Sequence, residues 1–433
     1  MLKKLFLFNL LLVLSSLSLN AQTAVVAKES DKTNTAEIRR QSFEKVWTTI
    51  NEKHYDPTFG GVEWKAVRRI YEPKALAAKS DSEFHGVLRQ MLGELKLSHF
   101  SVYQPESNVE TTKVVRGVTG IELKILDSQA VISEVQSGSA AEEAGLKAGF
   151  VIERVDGKTT KELLAPLEAS FAKRTLPEAQ RRIYRERILM NFLGGNIAAK
   201  SKIEVLNGNN QRQVFDVART ERKNEMSQAM GNFPAQEVIF ESKRLENNVG
   251  YIRFNMWIIP QMPKIREAIR SLKDADGIIF DLRGNPGGIG GMATGVAGLL
   301  VKQQTSLGSM KSRASETKFI VYPQTEIYDG KIVILSDYGT GSTSEIFAAG
   351  MQEIGRASVV GEQSAGAVLP SIFDTLPTGA IFQYVISDYK SPKNILIENR
   401  GVTPDTLIKL TRQTLLDGRD VQIEEAIRQI KNK

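Results

Sequence analysis

With no cysteine and three histidines in 433 residues, the chain holds few groups able to run acyl-transfer chemistry. Thiol nucleophiles and thiolate metal sites are excluded by composition. No H-E-x-x-H or similarly close ligand spacing occurs, so no metal and no other cofactor is expected. What is left is a serine, whose hydroxyl titrates far above neutral pH and needs a base. The most suggestive one is Ser342, in Leu335-Ser-Asp-Tyr-Gly-Thr-Gly-Ser-Thr-Ser-Glu-Ile-Phe-Ala-Ala349. A strand pattern ends there, a turn of small residues follows, and a helical pattern begins. A serine at a helix start sits where free N–H groups and the helix dipole favour negative charge. The Thr343 N–H could then receive a tetrahedral oxyanion. The same residues also fit a plain helix cap by Ser342 or Ser344. An α/β-hydrolase elbow does not fit, since it needs glycine at Thr340 and Ser344.

A second segment, Asp281-Leu-Arg-Gly-Asn-Pro-Gly-Gly288, follows a buried-strand pattern. Its paired glycines can expose backbone N–H groups at a sheet edge, or simply make a tight turn. Of the histidines, His85 lies in a regular helical pattern and reads as packing. His54 falls at a probable helix end, where a cationic ring has a structural reason to be. His99, in Leu95-Lys-Leu-Ser98-His99-Phe100, is by itself an ordinary partly buried histidine.

Together these segments resemble the family S41 serine peptidases, the carboxy-terminal processing peptidases and the tricorn core. That pattern is D-L-R-x-N-x-G-G, then G-x-x-S-x-S-E-I, then G-x-x-P-D. Here it reads Asp281 to Gly288, Gly339 to Ile346, and Gly401-Val-Thr-Pro-Asp405, in that order. The resemblance implies Ser342 as nucleophile. It implies an oxyanion hole from the Thr343 N–H and one of Gly287 and Gly288. The processing peptidases pair the serine with a lysine in an F-G-K-G stretch. The matching stretch here is Ser364-Ala-Gly-Ala-Val368, with Ala367 in the lysine's place. The tricorn-like branch uses histidine instead, in a pattern like L-x-x-S-H, with a glutamate shortly before G-x-x-P-D. This chain has Ser98-His99 and Glu398 at those places. The resemblance therefore implies His99 as general base, polarised through Ser98 by Glu398. The alternatives are an inactive peptide-binding scaffold, for which Ala367 speaks, and a hydrolase of small acyl compounds or esters.

The middle of the chain resembles a PDZ domain in Gly138-Ser-Ala-Ala-Glu-Glu-Ala-Gly-Leu-Lys-Ala-Gly149 and Val151-Ile-Glu-Arg-Val-Asp-Gly157. PDZ domains take a chain's C-terminus as an added β-strand. That implies a carboxylate loop at Thr119-Gly-Ile-Glu-Leu123, with Gly120, Ile121 and Leu123 as peptide-binding residues. Glu122 stands where many relatives have a second glycine.

These residues need elements to hold them. Phe43, Val46, Trp47 and Ile50, then Trp64, Val67, Ile70 and Tyr71, then Phe84, Val87, Leu88, Met91, Leu92 and Leu95 follow helical spacing. Strands are expected at Val131–Val135, Val151–Val155, Ile203–Leu206 and Val214–Val217, with a hairpin at Asp156-Gly157. Helices are expected over much of 160–200, where Arg181, Arg182, Arg185 and Arg187 read as a wet face. From Val238 onward, strands alternate with helices. The expected fold is a multidomain α/β protein. It has a signal peptide at 1–21, a small N-terminal helical domain at 36–112 and a PDZ-like β-rich domain at 113–220. An α/β crotonase/ClpP-like peptidase core follows at 236–433.

Lys3 and Lys4 before the apolar run Leu5 to Leu17, then Asn20-Ala21-Gln22, describe a secretory signal cut after Ala21. An exported protein, periplasmic or extracellular, is expected, with no stable membrane span once the signal is removed. The hydrophobic share of 41% and charged share of 25% fit a globular protein. The net charge of +7 is mild for this length, and no basic run interleaved with aromatics occurs. The expected partner is a peptide or unfolded protein, which the PDZ resemblance implies is met through its C-terminus, and not a nucleic acid.

Overall fold

The computed structural model describes residues 35–103, 116–171, 176–197, 199–221 and 224–432. The signal segment lies outside them. Among the described residues, no helix is long and apolar enough to cross a membrane. The chain forms two compact units. One is built on described residues of Met1–Leu95, Phe100–Glu106 and Phe373–Tyr384, the other on those of Lys96–His99, Ser107–Ile372 and Val385–Lys433.

The smaller unit is mainly helical, over 35–53, Trp64–Leu76 and Asp81–Gly93. Phe43, Val46 and Ile50 bury one face of the first helix, as their spacing predicts. Trp47 and Trp64 each donate an indole N–H to the other's carbonyl at 3.2 Å. Ser80 caps the third helix by accepting the Glu83 N–H. Ile70 departs from expectation and is 53% exposed. At about 100° per residue it lies well off the stripe formed by Trp64, Val67 and Ala75. His85 and His54 are buried here. His85 Nε2 is 3.0 Å from Thr378 Oγ1, and the His54 ring stacks on Phe100. Both histidines serve packing.

The larger unit contains two six-stranded sheets. The first runs in the order Phe240–Leu245, Val249–Phe254, Gly277–Asp281, Lys331–Ser336, Ser358–Gly361, Thr406–Leu407. Its first pair is antiparallel and the rest are parallel. Apolar residues occupy both faces, as parallel strands require. Ile278, Phe280 and Ile334 join one core with Trp257 and Phe347. Ile279, Val333 and Leu335 join the other with Ala426 and Ile430 of the last helix, Val421–Lys431.

The second sheet is antiparallel, ordered Ile121–Leu126, Gln129–Val135, Val151–Val155, Lys200–Leu206, Arg212–Ala218, with Lys158–Thr159 paired to Val155 and Arg154. Asp156 (φ 50°) and Gly157 (φ 80°) make the expected hairpin turn, whose left-handed geometry glycine tolerates without cost. The expected helical stretch is two helices, Thr160–Phe171 and Glu178–Leu193. The arginines of the second are not a wet face throughout. Arg187 is exposed, but Arg182 lies over the Tyr338 ring and pairs with Glu362 at 3.0 Å.

Candidate active site

Three adjacent parallel strands, Gly277–Asp281, Lys331–Ser336 and Ser358–Gly361, end at one edge of the first sheet. Their carboxyl ends, where ligands of open parallel sheets bind, release the loops that carry the candidate residues.

The turn after the first strand is built by its own motif residues. Asp281 is buried and paired with Arg283, whose Nη2 lies 2.5 Å from Oδ2. Although burial alone would raise it, the Arg283 and Arg253 charges hold the Asp281 carboxyl down at about 2. Asn285 donates its side-chain N–H to the Phe254 carbonyl at 2.8 Å and accepts the Gly287 N–H at 3.0 Å. Trp257 N donates to the Gly287 carbonyl, and Ile289 N donates to the Trp257 carbonyl. Among the described residues, the Gly288 N–H meets no acceptor.

The second loop is braced against that turn. Asp337 Oδ1 accepts both the Gly284 N–H and the Gly339 N–H at 2.8 Å. Its Oδ2 takes Lys124 Nζ from the antiparallel sheet at 2.6 Å. Against burial, the charges of Asp337 and Glu186 raise the Lys124 ammonium above its ordinary range, so this lysine is no candidate base. Gly341 N donates to the Asn285 carbonyl at 3.0 Å.

Ser342 sits at the head of the helix Thr343–Glu353 with φ 52° and ψ −119°. That backbone region is sparsely populated and persists where surrounding structure enforces it, often at functional sites. The Ser342 carbonyl takes the Glu345 N–H at 2.8 Å, and Ser342 and Glu345 also stand as a capping box, with Glu345 Oε2 accepting the Ser342 N–H at 3.1 Å. Ser344 has a different task, since its buried Oγ receives the Trp257 indole N–H at 2.8 Å. The Thr343 N–H meets no acceptor among the described residues, and its Oγ1 donates to the Gly288 carbonyl at 2.9 Å. Two neighbouring amides, Gly288 and Thr343, are thus available beside Ser342. A β-carbon at Gly287 would lie 2.5 Å from Ser342 Cβ and 2.8 Å from Thr343 N. Gly287→Ala is therefore expected to push the turn off the serine and lower kcat by about 10²-fold or more. Steady-state kinetics beside a thermal melt checks this; an unchanged kcat would contradict it.

The third loop, Glu362–Pro370, grips both halves of the site. The Ala367 carbonyl accepts the Ser342 N–H at 2.7 Å. One residue on, the Val368 N–H donates to Glu398 Oε2 at 3.1 Å. Glu398 also accepts the Ser98 N–H at 2.7 Å and the Ser98 hydroxyl at 2.9 Å. Ser98 Oγ is in turn 2.6 Å from His99 Nδ1. The serine's single proton faces the carboxylate, so Nδ1 must be the donor in the second bond. That places the ring proton on Nδ1 and leaves a lone pair on Nε2, the form a general base needs. Part of His99 stays accessible, yet its surroundings desolvate the ring enough to push its pKa down to about 4. The imidazole is therefore neutral throughout the neutral range. Glu398 is buried, and burial raises its carboxyl despite the donors around it. No hydrogen bond joins His99 to Ser342 Oγ among the described residues; such bonds tighten on substrate binding.

The sequence did not single out Glu345 and Ser364 for a role, although both lie in segments quoted for their resemblance. Glu345 is fully buried, with its carboxylate ringed by donors from the third loop and from Ser342 itself. Gly120, Ile121 and Leu123 lie apart from this cluster, at the start of the terminal strand of the antiparallel sheet. Gly120 (φ 83°) packs against Ser139, Glu122 is exposed, and Ile121 and Leu123 are buried. Farther along, the Ile125 N–H goes to Glu186 at 2.8 Å and its carbonyl takes Arg182 Nε at 3.1 Å.

Residues 248–408 match the peptidase family S41, and residues 35–93 match the tricorn protease C1 domain. A carboxyl-terminal-processing protease of Synechocystis is 27% identical over 394 residues, covering 88% of this chain and 84% of its own. The carboxy-terminal processing protease of Bacillus subtilis is 23% identical over 352 residues, covering 80% and 68%. The photosystem II D1 C-terminal processing protease shares the fold at TM-score 0.57 and 19% identity, over 91% of this chain and 98% of that one. Mature CPAF complexed with lactacystin does so at TM-score 0.62 and 13% identity, over 91% and 98%. Residues 248–408 are thus a peptidase family S41 domain, and the chain is a serine peptidase.

Proposed function

We propose that this chain is an exported endopeptidase that cleaves proteins or peptides through a Ser342 acyl-enzyme, with His99 as general base. Ser342 Oγ attacks the scissile carbonyl and passes its proton to His99 Nε2. The imidazolium that forms is held by Ser98 Oγ and stabilised through it by Glu398. The oxyanion is received by the Thr343 and Gly288 N–H groups. Gly287 serves as the close-packed turn residue, because its own N–H is committed to Asn285. The His99 Nε2 proton then leaves with the amine, and water activated by the neutral ring hydrolyses the ester. The observation that carries this reading is the directed chain from Glu398 through Ser98 to His99 Nδ1. It supplies a base where Ala367 excludes a lysine. Cleavage of unfolded protein by the chain, beside Ser342→Ala and His99→Ala, tests it. Loss in both variants supports the reading, and equal activity in all three defeats it.

The antiparallel sheet with its two helices forms, in this reading, a PDZ domain at about 113–220 that presents substrate C-termini. The helical domain spans about 36–112 and the crotonase/ClpP-like core 236–433. Gly120, Ile121 and Leu123 would hold the last residues of the substrate. Arg182 and Glu186 occupy the strand's polar groups at Ile125, so strand addition would stop short of it. Amidating a substrate's C-terminal carboxylate is expected to raise KM about tenfold with kcat little changed. Equal KM for acid and amide would remove the carboxylate-binding role.

A further inference from the structure

One heavily bonded ionisable group near Ser342 is not used by the reaction steps above. Glu345 Oε1 accepts the Ser364 hydroxyl at 2.5 Å and the Gly366 N–H at 2.7 Å. Its Oε2 accepts the Ala367 N–H at 2.9 Å and, at 3.1 Å, shares the Ser342 N–H with the Ala367 carbonyl, which takes it at 2.7 Å. Ser364 Oγ also accepts the Val402 N–H at 2.6 Å, and against the ionised carboxylate its own proton goes to Oε1. Three backbone N–H groups and one hydroxyl thus serve the carboxylate form, and a proton on either oxygen would displace one of these donors. The site is built for the ionised form. Successive amides of one loop thus hold two carboxylates, Gly366 and Ala367 on Glu345, Val368 on Glu398.

We propose that Glu345 is a positioning residue of the peptidase reaction. As a carboxylate it clamps the Ser342 amide to the 364–367 loop and holds the serine in the backbone conformation that presents its hydroxyl. The proposal rests on the reading of Ser342 as nucleophile. It also locates a pH switch. Burial raises the Glu345 carboxyl to about 7, with the like charge of Glu398 adding to it and the Ser364, Gly366 and Ala367 donors opposing. Tyr389 also faces Glu345 and feels its charge. The 364–368 loop presents only amides and a hydroxyl. The clamp is present above that pKa and is lost as pH falls through it. His99, titrating near 4, sets no limit in that range.

The test is the pH profile of acylation by a fluorophosphonate and of kcat for a peptide, in wild type, Glu345→Gln, Ser364→Ala and Ser342→Ala. Wild type is expected to lose activity on the acid side near pH 7. In Glu345→Gln, an amide N–H must face two backbone N–H groups, so kcat falls about tenfold to a hundredfold with KM within about twofold. The acid limb near neutral pH disappears with it. Ser364→Ala removes one donor from the charged form, so the limb moves up by about one pH unit. If Glu345→Gln keeps the wild-type rate and limb while Ser342→Ala is dead, the proposal fails and the nucleophile stands. If Ser342→Ala remains active, the underlying reading fails. Should Glu345→Gln not fold, Ser364→Ala decides: an upward shift supports the clamp and an unmoved limb overturns it.

Discussion

Replacing Ser342 by alanine is expected to lower kcat by about 10⁴-fold or more, with KM and the melting temperature little changed. The magnitude follows from the loss of the covalent route, worth about 5.5 kcal/mol or more of barrier. What remains in the proposed mechanism is the pair of Gly288 and Thr343 amides, which would still favour the transition state. Little stability should be lost, because the first turn is held by other groups. The Glu345 N–H takes the Ser342 carbonyl, and the Ser342 N–H is anchored to Ala367 and Glu345, bonds an alanine keeps. The strained φ of 52° also persists, so a small destabilisation of about 1 kcal/mol either way is the most that is expected. Steady-state kinetics with a differential melt on the same preparation checks both halves. A variant with a residual rate within tenfold of wild type would remove Ser342 from the chemistry.

The second large effect is expected at Glu398→Gln. The glutamate accepts the Ser98 N–H, the Ser98 hydroxyl and the Val368 N–H, and the Leu369 N–H also lowers its carboxyl. A glutamine offers one acceptor oxygen and one donor group. With its oxygen on the Ser98 N–H, its amide N–H faces Ser98 Oγ and turns that hydroxyl toward His99 Nδ1. Nδ1 then becomes the acceptor, the ring proton moves to Nε2, and the base has lost its lone pair. The loss is one of tautomer more than of charge, and in other triads the acid-to-amide change costs about 10⁴-fold in kcat. A comparable fall is expected here, read from peptide hydrolysis and from the rate of fluorophosphonate labelling. Ser98→Ala should fall similarly, since it cuts the same chain at its middle. A Glu398→Gln enzyme within tenfold of wild type would mean that His99 is oriented by something else.

Much of this was legible before any coordinates. The Asp281–Gly288 turn, the small residues around Ser342, and the pairing of a missing lysine at Ala367 with Ser98-His99 and Glu398 all lie in short runs. Their residue types carry the meaning. The Ser98–Glu398 bond joins residues 300 positions apart, and only the resemblance joined them in the sequence. Local spacing says nothing about such a meeting. The choice between Gly287 and Gly288 was not legible, because it depends on where the Asn285 side chain points. Glu345 was hidden for a similar reason: its partners come from a loop about twenty residues later. Arg182 and Ile70 erred in opposite directions. The arginine-rich face of the helix Glu178–Leu193 looked solvated, yet Tyr338 and Glu362 cover part of it. Ile70 looked buried, yet helix geometry turns it outward. Periodicity tells which way a side chain points along its element, and not what lies there.

The most direct test of the account is chemical. The chain would be treated with a fluorophosphonate at neutral pH and the adduct mapped by peptide mass spectrometry, beside His99→Ala. The account predicts a single adduct on Ser342, formed about 10³-fold more slowly or worse in His99→Ala. An adduct on another residue, or labelling of Ser342 at the wild-type rate without His99, would contradict it.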